Sequence, residues 1–215
     1  MSNLCEKKLE TCIAANCEKP LFAGVDSEAL IANYSDIASP TWDQTNPSII
    51  NGFTMVEDTT TVDDGEGGTT TVTTPRHFYC VQQLGNQPFA GSQTEFSEGT
   101  YGNRVNHTIQ LAVVDNGPEI TENIIDNLLN GKFVVILKND YVHANGDNKY
   151  QVFGSHKGLK CTGLTRELYG DNESAYIVTL QEQNAPKSGM FFYVTDETTT
   201  DTAYAALKAS CCVVE

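Results

Sequence analysis

The stretch NGPEITENIIDNLLNGKFVVILKN, from Asn116 to Asn139, constrains the fold more than any other part of the chain. Gly117-Pro118 opens a helix, because proline at a first helical position gives up an N–H that would have had no partner and fixes φ near the helical value. Ile120, Ile124, Ile125, Leu128 and Leu129 recur at helical spacing and predict a single apolar stripe. Glu119, Glu122 and Asp126 lie toward the N-terminal end, where the macrodipole favours negative charge, and Gly131 is placed to end the helix in a left-handed conformation. Burying all five apolar side chains would contribute roughly 8–15 kcal/mol gross, an upper figure because the unfolded chain already hides part of that surface. Lys132 to Leu137 then reads as a strand that is apolar on both faces, covered on one side by the helix and on the other by further protein.

Around this unit the chain is rich in strands. Ala29–Ile37, Ser48–Glu57, His77–Leu84, Asn103–Val114, Lys149–Phe153, Gly158–Arg166, Ser174–Glu182 and Met190–Val194 all carry the pattern. In Asn103–Val114 the alternation puts Val105, His107, Ile109, Leu111 and Val113 on one face. Pro40–Pro47 reads as a loop carrying Trp42, the sole tryptophan, and Pro88–Gly102 as a turn-rich excursion. Asn145-Gly146-Asp147 predicts a hairpin turn. From Asp58 to Pro75 the composition becomes DTTTVDDGEGGTTTVTTP, compatible with a long β-hairpin ending in an acidic tip and equally with a solvated loop. The fold expected is mainly β: a sandwich or barrel domain over 29–194 with one central α-helix and an insertion at 58–75. An N-terminal arm (1–28) and a C-terminal arm (195–215) flank it, the latter holding a short helix from Ala203 with Asp201 as its cap.

Composition narrows the function. Among 215 residues, 28 acidic side chains face 13 basic ones for a net charge of −15, which repels nucleic acid and anionic membrane at long range. No apolar run of about 18 residues occurs and the first residues lack a leader-like apolar core, so neither a span nor a signal peptide is expected. Seven cysteines, an odd number unevenly placed, read as reduced thiols, and Cys5, Cys12 and Cys17 lack the close pairing of a zinc site. His77, His107, His143 and His156 form no metal or catalytic spacing, and His107 reads as a satisfied core histidine. Gly154 to Gly158, GSHKG, lacks phosphate-loop spacing and reads as a strand-to-strand turn. The DDGEGG run lacks the twelfth-position glutamate of a calcium loop. No catalytic, cofactor-binding or metal residue is expected, and no enzyme.

Four segments carry a resemblance to a known family. PFAGSQTEFSEGTYGNRVNHTI, NIIDNLLNGKFVVILKN, KYQVFGSHKGL and NAPKSGMFFYV together resemble tail and tail-ring structural proteins of tailed phages infecting Bacteroidetes, including the crAss-like group. The resemblance runs from Val81 to Val194. It implies a virion component, similar to tail-tube proteins, that forms a tail ring or a head-to-tail connector ring of six or twelve copies through which the genome passes. Its partners would then be copies of itself, neighbouring tail or portal rings, and viral DNA only as a transiting polymer, with no membrane. The protein would be made in the host cytoplasm and reside in the virion tail. No active-site residues carry over. A second reading is a β-sandwich binding module for carbohydrate or a receptor, with Trp42, Tyr101, Tyr141 and Tyr150 as platforms. A third is a thiol enzyme using Cys80 or Cys161.

Overall fold

The computed structural model describes residues 25–63, 69–82, 89–98, 104–113, 117–140, 142–166 and 175–208. The protein is mainly β, as its patterning predicts, and strand β9 (Lys132–Asn139) is its axis. Along one edge of β9 runs β1 (Val25–Asn33), antiparallel, with β6 (Tyr79–Gln82) beyond it. Along the other edge β9 pairs first with β10 (Tyr150–Phe153) and then, nearer its start, with β11 (Leu159–Arg166). From β11 the sheet continues antiparallel through β12 (Tyr176–Ala185) and β8 (Arg104–Val113) to β7 (Phe89–Ser97). From β10 it continues through β13 (Met190–Phe192) and, by a parallel pairing, β3 (Ile49–Met55), to β2 (Ile37–Trp42). These eleven strands form one sheet. β4 (Glu57–Asp63) and β5 (Thr69–Pro75) form a separate two-stranded ribbon in continuous register from Glu57↔Pro75 to Asp63↔Thr69. The hairpin alternative for 58–75 therefore holds over its arms, while the acidic tip lies outside the described residues.

The pleat of β9 divides the interior in two. Phe133, Val135 and Leu137 enter one core with Ile109, Leu111, Val178, Leu180 and the helix. Val134 and Ile136 enter a second with Leu30, Ile50, Phe78, Tyr150 and Phe192. Five consecutive buried residues, Phe133 to Leu137, are what a strand sandwiched between two cores requires. On β8, Val105, His107, Ile109 and Leu111 are buried at alternate positions, in line with the predicted face.

The central helix α1 is present, opened by Pro118 at its first turn, and consists of Pro118–Ile120, a π turn at Thr121–Ile125, and Asp126–Asn130. Its stripe is narrower than expected. Ile125 and Leu128 are buried and Ile120 packs beside them, but Ile124 and Leu129 stay 39% and 38% exposed. The π turn, closed by the Asp126 N–H on the Thr121 carbonyl, advances the chain by a smaller angle per residue and leaves those two at the stripe's flanks. Gly131 is also not left-handed: its φ of −86° and ψ of 177° are extended. Glycine is required there for space, since a Cβ would collide with the Phe133 ring and the Asn127 carbonyl.

Three further expectations are corrected. Pro88–Gly102 is not an excursion, because β7 occupies its centre as an edge strand. Trp42 ends strand β2 instead of sitting in a loop. The first part of the expected C-terminal arm is a second helix, α2 (Glu197–Ala206), capped by Asp196 and not by Asp201. Asp201, mid-helix, instead accepts hydrogen bonds from Lys149 Nζ at 2.6 Å and the Tyr150 hydroxyl at 2.8 Å. Tyr204 stacks on Tyr150 with centroids 4.1 Å apart, so α2 closes the second core. Of the N-terminal arm, residues 1–24 lie outside the described residues, and Val25 onward belongs to β1.

Candidate functional site

The GSHKG turn is the corner on which the sheet changes direction. β10 leaves β9 at Phe153, the turn runs through Gly154 to Gly158, and β11 rejoins the same edge of β9 at Leu159. Gly154 and Gly158 have φ of +83° and +77°, a region open to glycine but strained for other residues. A Cβ at Gly154 would strike the Phe133 carbonyl oxygen. The Gly158 N–H donates to the Gly154 carbonyl at 2.9 Å.

A buried carboxylate holds this corner from inside. Glu182, on β12 and 2% exposed, accepts the N–H of Lys157 at 2.7 Å and that of Gly154 at 3.2 Å. Burying a charged group is tolerable only when its oxygens are satisfied in this way. The Tyr34 hydroxyl clamps the outer side by donating to the His156 carbonyl at 2.9 Å.

On the outer surface, Trp42 and His156 have ring centroids 5.2 Å apart, and Lys187 Nζ sits 5.5 Å from the Trp42 centroid. Burial pushes the His156 imidazole below its ordinary value; the Glu182 charge opposes this and the Lys187 charge adds to it. A cavity of about 140 Å³ lies beside the corner, lined in part by Tyr34, Pro40, Phe53, Val134 and Ser155. The Ser155 hydroxyl is 3.3 Å from His156 Nδ1. Glu182 gives its oxygens to backbone N–H groups and not to that imidazole, so the Ser-His contact lacks the orienting carboxylate of a charge-stabilised triad. The ammonium against the indole face is a cation–π contact.

The other sequence candidates fall elsewhere. His107 is 4% exposed and satisfied at both nitrogens: Nε2 donates to the Lys187 carbonyl at 2.9 Å, which leaves Nδ1 to accept from Thr94 Oγ1 at 3.0 Å. His143 Nδ1 contacts Asp147 Oδ1 at 2.9 Å. Tyr150 is a core residue, not a platform, and burial, then its hydrogen bond to Asp201, pushes its hydroxyl pKa up. Tyr101 and Tyr141 lie outside the described residues. Cys161 is a free, half-buried thiol that donates to the Gly163 carbonyl at 3.4 Å. Cys80 is disulfide-bonded, which corrects the expectation of reduced thiols throughout. Among the described residues no group of three or more His, Cys, Asp or Glu side chains is placed to hold a metal. No described helix is long and apolar enough to cross a membrane. Glu182 was missed in the sequence because its partners are backbone groups in a turn more than twenty residues away, a relation no spacing motif encodes.

No family model, curated protein or solved structure matches the chain.

Proposed function

We propose that this chain is a structural subunit of a phage virion that assembles with copies of itself into a ring of the tail or head-to-tail connector. The observation that carries this reading is the β4–β5 ribbon. Its two arms of seven residues pair only with each other, and at about 3.4 Å per residue they extend roughly 24 Å. A lone two-stranded ribbon is marginal in water and gains stability by packing on something else. The sheet also ends in β2, β6 and β7, each with one strand neighbour among the described residues, and β7 presents Phe96 at 66% exposure. Edges and a projecting ribbon are surfaces for contact between copies, and a head-to-tail contact that closes by rotation gives a ring. The charge of −15 suits a channel that DNA traverses without sticking, since a cationic lining would release counterions and hold it.

The test is the mass of the purified chain over a range of concentrations, together with a search for it in purified virions. Six- or twelvefold assemblies and a place in the tail are expected. A monomer at every concentration, absent from particles, would overturn the reading. A net positive channel face in the assembled ring would remove the sliding argument alone.

The exposed Trp42 beside Lys187 favours one alternative, a carbohydrate-binding module. As the sole tryptophan, its fluorescence reports that surface directly. Saturable quenching by glycans in a chain that stays monomeric would favour this alternative.

A further inference from the structure

Electrostatics at the GSHKG corner run against those of the whole chain. Among the described residues ten lysines and arginines are present, and eight have a side-chain hydrogen bond, ion pair or other partner. The remaining two, Lys132 and Lys160, are directly opposite each other on β9 and β11. Residues so paired in an antiparallel ladder place their side chains on one face, with Cβ atoms about 5 Å apart, and like charges there are destabilising. Both are exposed. Lys157 adds a third cation next to Gly158, whose Cβ position would lie 3.1 Å from the Lys132 Cβ. Its ammonium donates to the Asn184 carbonyl, a neutral group that leaves its charge uncompensated. The nearby carboxylate, Glu182, is turned inward onto backbone N–H groups.

The opposite pole is the ribbon. Between Glu57 and Pro75 the sequence has five acidic residues and no basic one: Glu57, Asp58, Asp63, Asp64 and Glu66, of which Asp58 pairs with Arg76 at the ribbon's base and Asp64 and Glu66 lie outside the described residues. Copies of a chain with net charge −15 repel at long range, so contact between them is favoured where the local sign inverts. We propose that the corner bearing Lys132, Lys157 and Lys160 is the docking site for the acidic β4–β5 ribbon of a second copy of this chain. The inference rests on the ring reading above and specifies its interface. It also accounts for two features that are costly in an isolated monomer: a ribbon whose described side chains are all exposed and a like-charge pair without counterions. Repeated head to tail, this contact between two different surfaces closes into a ring; exchanged reciprocally it would instead give a two-fold dimer.

Charge reversal tests this on the full chain. K132E/K160E changes two exposed side chains and E57K/D63K reverses the ribbon, and circular dichroism confirms that each variant is folded. Each reversal alone is expected to weaken self-association about tenfold to a hundredfold, and mixing the two variants to restore it. K132Q/K160Q should fall between wild type and reversal, and rising salt should weaken the wild-type assembly. Assembly by K132E/K160E at wild-type strength would overturn the proposal while leaving the ring reading intact. So would failure of the mixture to recover. Normal assembly combined with lost retention on a DNA column would assign the corner to a passing polyanion, again overturning it. A wild-type chain that never associates would overturn both the interface and the ring.

Discussion

Strand β9 and the arms of the β4–β5 ribbon have similar lengths and are both paired along them, yet they are stabilised in opposite ways. β9 buries five consecutive side chains between two cores. The ribbon's described side chains, Glu57 to Thr59, Thr71 and Thr73 to Pro75, are all exposed. Backbone hydrogen bonds are equally available to both, and they contribute little net because water offers the unfolded chain the same bonds. The difference is therefore in apolar burial, which is where most folding stability originates. The monomer's apolar burial is concentrated at the centre, and the ribbon's described side chains add none to it.

The contrast breaks first at the centre if it breaks at all. Phe192 is 1% exposed in the second core, with the Phe53 ring centroid 6.1 Å and the Tyr150 centroid 6.3 Å away. Phe192→Ala should cost about 3–5 kcal/mol in urea unfolding, from lost transfer energy plus the cavity left behind. A cost below about 1 kcal/mol would mean the second core is loosely packed and not a principal source of stability.

The corner comes next. Glu182→Ala would strand the N–H groups of Gly154 and Lys157 in the interior and should cost about 2–4 kcal/mol. Glu182→Gln, which keeps one acceptor oxygen, should cost less. Equal costs for the two would show that the charge, and not the pair of N–H acceptors, matters at this site.

A smaller effect is expected with pH at α2. The Thr199 N–H and then the Thr199 hydroxyl, both 2.8 Å from the Asp196 carboxylate, hold its pKa below the ordinary aspartate value. A depressed pKa contributes stability that is present above the unfolded value, about 4, and is lost as pH falls through the folded value. Hydrogen exchange in α2 should therefore quicken on acidification below about pH 4 before β9 responds. Asp196→Asn, which caps without titrating, should remove the pH dependence.

These elements also show what could be read in advance. α1 and β8 are legible because their apolar residues repeat with the period of the element and face a core, and β9 because its unbroken apolar run marks a strand buried on both faces. β7 was not, since an edge strand with Ser92 to Phe96 exposed has no alternation to display. Only the end of α2, from Ala203, shows in the sequence; its helix-poor run of threonines is held by buried Thr200 and Tyr204 and by Lys149 and Tyr150 elsewhere in the chain. The hairpin was half legible, because threonine favours strands whether or not anything covers them. GSHKG reads as a turn from its glycines, but the register that sets Lys132 against Lys160 depends on how β9 and β11 meet, and neither strand alone reveals it.

The smallest expected change in stability is also the most decisive. Replacing Thr59–Thr73 with a two-residue Asn-Gly turn removes most of the ribbon while keeping its base, where Arg76 pairs with Asp58 at 2.7 Å and the Arg76 N–H donates to Val56 at 2.9 Å. If the ribbon gains nothing from its own body, monomer stability should move by no more than about 0.5 kcal/mol, the range for surface changes. Self-association should fall at the same time. A loss of more than about 1 kcal/mol in the monomer would place the ribbon on its own body and erase the distinction from β9. An unchanged monomer that assembles as before would leave the ribbon without a role in contacts between copies, and the β2, β6 and β7 edges would then be the surfaces to test for closing the ring.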